Sequence, residues 1–264
     1  MQVPYFSILT VCLNAGDRLL QTIDSVLMQD FINFEIIVKD GLSNDGFFEK
    51  VPDDRRILKV KKADTGIYDA MNQALEHANG QYVLFLNAGD YFYDGTVLNS
   101  YFNAIVTNNF PALVYSDYMT TGLSEYVQSP PKLTIFFLFR TTLCHQVCMI
   151  KREFYSSLGH FDTLLKVEGD YDFLLRLLIL RKANYKHIQL LGIISTSGGF
   201  SCQNRELAKM EARIVRKRYF KKTYLAFLFL VALTFPSVRI KLVNQNSFIS
   251  KLYQRLVNKF NRLF

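Results

Sequence analysis

YFSILTVCLNAGD, residues 5–17, is the stretch on which the reading of the fold turns. Tyr5 to Val11 is a short apolar run that ends on β-branched side chains, the pattern of a strand buried on both faces. Asn14-Ala15-Gly16 is turn chemistry. Asp17 then stands where a helix cap belongs, ahead of Leu19, Leu20, Ile23, Val26 and Leu27 at helical spacing. The unit recurs. Phe34–Val38 is a second apolar strand, Ile57–Val60 a third and Tyr82–Leu86 a fourth, with a helix over Ile67–Ala78 stopped by Asn79-Gly80. Strands apolar on both faces that alternate with helices predict a doubly wound, mainly parallel α/β sheet. Further on, Ala112–Ser116 reads as a strand, Glu168–Arg181 as one helix and Tyr185–Ile194 as strand.

In that architecture ligands bind beyond the carboxyl ends of the strands. Three polar clusters fall there: Asn14 to Asp17, Asp40 to Asp45 and Asn87 to Asp90. None contains Gly-x-Gly-x-x-Gly, which argues against a nicotinamide-dependent oxidoreductase. Carboxylates at strand ends suit ribose hydroxyls, base edges or a cation, and they repel phosphate unless a cation mediates. Asp40 is read as a ligand contact, and Asp45 equally as a ligand contact or a turn residue. Asp64, just before Gly66 at a helix start, suits N-capping.

The ordered set of these pieces resembles the family-2 inverting glycosyltransferases of GT-A fold over residues 4–200. The opening strand with Asn14, the helix ending Ser25-Val-Leu-Met-Gln29, the strand Phe34–Val38 and the loop Asp40-Gly-Leu-Ser-Asn-Asp45 are similar to that family's nucleotide-binding half. Asp64-Thr-Gly-Ile-Tyr-Asp-Ala-Met-Asn72 looks like a signature of members that build bacterial surface polysaccharides. The resemblance implies that Asn14, Asp40, Asp45 and Asp64 contact a nucleotide sugar. It places Asn87-Ala-Gly-Asp90 at the metal-binding Asp-x-Asp. The sequence departs there, with Asn87 and Gly89 at the two Asp positions, so Asp90 is the expected ligand of a Mg or Mn ion. Glu168-Gly-Asp-Tyr-Asp172 resembles the segment that supplies the catalytic base, with Asp170 as the base and Glu168 beside it. Inversion by single displacement needs such a carboxylate to take the acceptor hydroxyl's proton, and crowded carboxylates raise one pKa. Asp172 reads as a first-turn acid and Arg176 as its structural ion-pair partner. The resemblance also puts His145 and Gln146 in the cleft, with Asp117 of similar standing. Ser197-Gly-Gly-Phe-Ser201 is read as a loop near the diphosphate.

Charge divides the chain. Of its 31 Lys+Arg and 23 Asp+Glu, residues 205–264 hold 14 basic and 2 acidic, leaving a slightly acidic body over residues 1–204. The two are read as a glycosyltransferase domain, 1–204, and a basic, membrane-associating helical tail, 205–264. Thr223–Val238 is uncharged but short of the roughly 20 residues that span hydrocarbon. Ser247–Phe264 is a basic amphipathic pattern of the interfacial kind. No base-stacking module accompanies the charge, so the expected partner is an anionic membrane surface rather than nucleic acid. The N-terminus lacks signal-peptide chemistry, and the 4 cysteines form neither a disulfide framework nor a zinc pattern. The body is therefore expected in the cytoplasm, on the inner face of the membrane. Its expected activity is transfer of a sugar, from UDP by preference, to a lipid-linked saccharide. A non-catalytic sugar-nucleotide-binding scaffold is the alternative.

Overall fold

The computed structural model describes residues 3–122, 125–196 and 203–220. Among the described residues the nine strands are β1 (Phe6–Cys12), β2 (Phe34–Asp40), β3 (Ile57–Lys61), β4 (Tyr82–Phe85), β5 (Tyr91–Phe92), β6 (Leu113–Thr120), β7 (Glu125–Val127), β8 (Cys148–Lys151) and β9 (Tyr185–Ser195). The helices are α1 (Arg18–Leu27), α2 (Ile67–Leu75), α3 (Val97–Thr107), α4 (Ile135–Arg140), α5 (Glu153–Ser157), α6 (Gly169–Leu175) and α7 (Arg205–Tyr219). The sheet runs β3-β2-β1-β4-β8-β6-β9-β5, with β7 paired to β6.

The long ladders, β1 with β2, β2 with β3, β1 with β4 and β6 with β9, are parallel. The antiparallel ones, through β5, β7 and β8, are two or three residue pairs each. The fold is thus mixed α/β with a mostly parallel sheet. All seven residues of β1 are buried because it lies between β2 and β4 with α1 and α2 packed on it. That is why its sequence is apolar on both faces.

Three local expectations are corrected. Asp17 makes no side-chain cap, because its backbone is already helical (φ −62°, ψ −21°) and the helix is entered through Leu19 N–H to Gly16 C=O instead. The helix expected over 168–181 is α-helical to Leu175 and then widens into a π turn, Arg176–Leu180, closed by Arg181 N–H to Arg176 C=O. Arg176 sits at that junction, donating to the carbonyls of Leu158, Gly159 and His160. The helix expected over 67–78 ends at Leu75, its last turn tightened by His77 N–H to Ala74 C=O.

α7 lies past the expected boundary at residue 204. It packs on the body through Ala212 and Val215, in a second apolar cluster with Leu138, Leu165, Tyr171 and Leu175. Among the described residues, no helix is long and apolar enough to cross a membrane. The segments 223–238 and 247–264 and the loop 197–201 lie outside the described residues. Cys12, Cys144 and Cys148 are free thiols. Burial pushes the thiols of Cys12 and Cys144 up to about 12, so they are unreactive at neutral pH.

Candidate active site

Two groups of polar side chains meet at the carboxyl ends of the first strands. The first is built by the turns after β1 and β2. Asp40 closes β2 and is wholly buried. Its carboxylate accepts from the Ser43 N–H (2.9 Å), the Ser43 hydroxyl (2.5 Å) and, weakly, the Cys12 thiol (3.5 Å). Ser43 Oγ in turn accepts the Asn14 N–H (2.8 Å), and Asn14 Oδ1 accepts the Asn44 N–H (3.0 Å). Asp45 accepts the N–H groups of Gly16 (2.9 Å) and Phe47 (3.2 Å), which hold its carboxyl below the ordinary carboxylate range. With no exposed surface in this arrangement and three donors on its oxygens, Asp40 also shapes the loop. Asn14 and Asp45 tie the two turns together.

Asp64 joins this group from the loop before α2. One of its oxygens pairs with the wholly buried ammonium of Lys39, and the other accepts the Gly66 N–H (3.1 Å). The N-capping read for Asp64 is not realised: Gly66 is the N-cap of α2 and receives no side-chain cap, and the Asp64 bond to its N–H closes a turn ahead of the helix. Gly41 leaves room beside Asp64. A Cβ there would lie 2.8 Å from Asp64 Oδ2.

The second group gathers residues far apart in sequence. Asn87 and Asp90 follow β4, His145 and Gln146 form a 3-10 turn before β8, Asp170 stands in the first turn of α6, and Tyr68 comes from α2. Asp170 Oδ2 is 3.1 Å from His145 Nδ1, and His145 Nε2 is 3.1 Å from Asn87 Nδ2. With the amide nitrogen facing the ring, Nε2 accepts, so the imidazole proton sits on Nδ1 and is donated to Asp170. The Tyr68 hydroxyl lies 2.9 Å from Asp170 Oδ1. Burial alone would raise the Asp170 carboxyl. His145 first, then the Tyr68 hydroxyl and the Tyr171 N–H, together outweigh it and hold the group below its ordinary value.

Asp90 is nearly buried and takes the Gln146 amide (2.7 Å) and the Thr196 N–H (2.8 Å). Burial raises its carboxyl, and these neutral donors only partly offset that. The Asn87–Asp90 turn is fastened to α1, since Thr22 Oγ accepts the Gly89 N–H and donates to the Asp90 carbonyl (both 2.8 Å).

Glu168 has its carboxyl raised to about 7, first by burial and then by the neighbouring charge of Asp170. The crowding effect read from the acidic segment is therefore real, but it acts on Glu168 while Asp170 stays ionised.

Asp117 does not join either group among the described hydrogen bonds. It is wholly buried beneath the β7 hairpin, accepting from Tyr126 Oη (2.5 Å) and Ser129 N–H (2.8 Å), with His187 Nε2 at 2.7 Å. Its oxygens are thus engaged inside the fold by Tyr126, Ser129 and His187. Asp172 is also structural. Arg176 (3.0 Å), Arg218 (2.9 Å) and Tyr219 (2.7 Å) all donate to it, which includes the expected Arg176 pair.

Sequence reasoning missed Tyr68, Lys39 and Glu211. Tyr68 lies inside the Asp64–Asn72 signature, which was itself a pointer. Glu211 is one of only 2 acids in residues 205–264. It is buried, and its carboxylate accepts the N–H groups of Lys166, Val167 and Glu168 at 2.8, 2.8 and 3.1 Å. Among the described residues, no group of three or more His, Cys, Asp or Glu side chains could hold a metal ion unaided.

The family model for glycosyl transferase family 2 matches residues 7–149, which spans the first group and the Asn87–Asp90, His145 and Gln146 part of the second. A PGL/p-HBAD biosynthesis glycosyltransferase of Mycobacterium tuberculosis is 30% identical over 181 residues, covering 67% of this chain and 70% of that protein. The UDP-Glc:alpha-D-GlcNAc-diphosphoundecaprenol beta-1,3-glucosyltransferase WfaP of Escherichia coli is 33% identical over 96 residues, 35% of this chain and 38% of its own. The fold is shared with S. aureus TarS 1–349 in complex with UDP-GlcNAc, at a TM-score of 0.65 and 16% identity over 93% of this chain and 68% of that one. With a family model matching more than half of its length and a relative of this closeness, the chain belongs to glycosyl transferase family 2 and is a glycosyltransferase.

Proposed function

We propose that the protein transfers a sugar, with inversion, from a UDP-sugar to a hydroxyl of a lipid-linked saccharide during surface-polysaccharide synthesis. The observation that carries this reading is Asp170, a carboxylate held ionised by His145 and Tyr68, with His145 bridging to Asn87 of the strand-end turn that also carries Asp90. Asp170 accepts the proton of the acceptor hydroxyl as its oxygen attacks the anomeric carbon from the face opposite the nucleotide. The new C–O bond forms while the bond to the diphosphate breaks, and UDP leaves with the bonding pair. The loop held by Asn14, Asp40, Asp45 and Asp64 positions the nucleoside.

Asn87 Oδ1 is a buried acceptor with no hydrogen-bond donor, and Asp90 is a nearly buried carboxylate met only by neutral donors. Hard oxygens so placed fit a divalent cation completed by the diphosphate and water. Such a cation would neutralise charge on the departing diphosphate.

The choice of donor and acceptor is supported by what the E. coli relative's name states of that enzyme, and by the UDP-GlcNAc complex of the shared fold. The basic segment 205–264 supports an anionic membrane surface as the place of work, the inner leaflet facing the cytoplasm. Cosedimentation with vesicles of phosphatidylglycerol tests this. Binding should fall when residues 223–264 are deleted, and undiminished binding of the truncated protein removes the anchoring role.

A further inference from the structure

We propose that Tyr68 is a positioning residue for Asp170, its one hydroxyl proton turning between two acceptors as Asp170 gains and loses a proton. The inference rests on the reading of Asp170 as the base. The Tyr68 hydroxyl has a single proton, yet it faces two oxygens that can only accept while Asp170 is ionised. Asp170 Oδ1 lies at 2.9 Å and the Val167 carbonyl at 2.5 Å. The single Tyr68 proton therefore cannot serve both oxygens at once in the ionised state. An ionised carboxylate draws the hydroxyl proton more strongly than a neutral carbonyl.

When the acceptor's proton arrives on Asp170, its carboxyl oxygen becomes the weaker acceptor. The Tyr68 hydroxyl then turns about its Cζ–Oη bond to the Val167 carbonyl, and a protonated Oδ1 can donate to the Tyr68 oxygen in return. No proton leaves Tyr68. Burial and the nearby Asp170 charge push its own ionisation well above the ordinary tyrosine value. The buried ring thus offers a donor to the base before proton transfer and keeps a full hydrogen bond afterwards. That limits the penalty which a fixed donor would impose on a base.

A second observation shows that the ring position is built in. A Cβ on Gly169 would lie 2.8 Å from both Cδ2 and Cε2 of Tyr68. The residue between Glu168 and Asp170 is thereby confined to glycine, and the ring fills the space a side chain would take. The Asp64–Asn72 signature and the acidic segment are in this way one device.

The titratable groups around Asp170 are His145 from the 3-10 turn, Tyr68 from α2, Glu168 from the preceding loop, and the buried thiols of Cys144 and Cys148. Only Tyr68 is altered in the test. The full chain, labelled with 13C at the aspartate carboxyl carbons, is titrated by NMR, with the Asp170 resonance assigned by its loss in Asp170→Asn. Tyr68→Phe keeps the ring and removes the donor that favours the ionised form. The Asp170 midpoint should move upward by about one pH unit, from the differential strength of a hydrogen bond to a charged group. Gly169→Ala, which displaces the hydroxyl without removing it, should move the midpoint in the same direction. Midpoints unchanged to within about 0.2 unit in both variants, below the size of any such hydrogen bond, overturn the proposal. Release of UDP from UDP-glucose and UDP-N-acetylglucosamine, measured on wild type and Asp170→Asn, reads the base assignment separately. Equal release by the two fails that assignment whatever the titration shows.

Discussion

Replacing Glu211 by alanine tests whether α7 is a working part of the catalytic body. The Glu211 carboxylate is buried and accepts three consecutive backbone N–H groups, those of Lys166, Val167 and Glu168, immediately before α6 and Asp170. Alanine leaves all three without an acceptor. Val167 is buried and its N–H bears the whole loss, about 1–3 kcal/mol, while Lys166 is exposed and Glu168 half-buried, so water recovers part of theirs. The sum is about 3 kcal/mol. For a chain of this size that is a fall in melting temperature of roughly 6–12 °C. Glutamine retains one acceptor oxygen. With that oxygen at the Oε2 position it still serves Val167 and Glu168, and only the exposed Lys166 N–H loses its acceptor, to water, so the cost is about 1 kcal/mol. Differential scanning calorimetry gives the two shifts, and hydrogen exchange followed by mass spectrometry reads the loop. Peptides spanning residues 160–175 should lose protection in Glu211→Ala while those from β1 and β4 keep theirs. An alanine variant melting within about 2 °C of wild type, with the loop still protected, would refute the reasoning, because three lost backbone partners cannot be that cheap.

Two further outcomes follow from the same geometry. Glu168 ionises near 7 in the fold, against a lower value when unfolded, so its neutral form is favoured by folding. The stability this contributes is full below the unfolded pKa and is lost as pH rises through 7. Glu168→Gln should therefore melt higher than wild type at pH 8 by about 1–2 kcal/mol of stability, and converge with it near pH 4.5. Equal melting of the two proteins at pH 8 contradicts the burial argument. Asp117→Asn removes a wholly buried carboxylate that serves Tyr126, Ser129 and His187. It should cost about 2–4 kcal/mol in chemical denaturation while leaving nucleotide affinity unchanged, and weakened nucleotide binding at full stability would return Asp117 to the site.

How much was legible in sequence depends on how far each signal reaches along the chain. β1, β2 and β4 announce themselves because burial on both faces writes a continuous apolar run into each. The turns that follow β1 and β2 hold their polar side chains close by, so the turn role read for Asp45 could be seen from position alone. Lys39 lies just past the expected end of such a run at Val38, and a cation in a buried strand makes sense only once Asp64 is seen opposite it. β5 is two residues long and owes its existence to β9, which no local pattern could show. The Tyr68–Asp170 contact joins residues 102 apart, and Glu211 reaches back more than 40 residues to the loop it holds. Asp117 marks a limit of such reading, because a strand-terminal acid looks the same in sequence whether it faces a ligand or a buried histidine. The crowded acids of 168–172 were rightly read as perturbing one another. Which carboxylate rises was decided by His145 and Tyr68, both distant in sequence.

The central claim is that Asp170 takes the acceptor's proton while playing little part in holding the donor. The most direct measurement pairs UDP release from UDP-glucose and UDP-N-acetylglucosamine with UDP affinity by calorimetry, in wild type and Asp170→Asn. The account predicts that wild type releases UDP and that the variant loses at least about 100-fold in rate, the scale of general-base catalysis, with UDP affinity within a factor of about three. Release by Asp170→Asn at the wild-type rate, with UDP bound equally well, would contradict it.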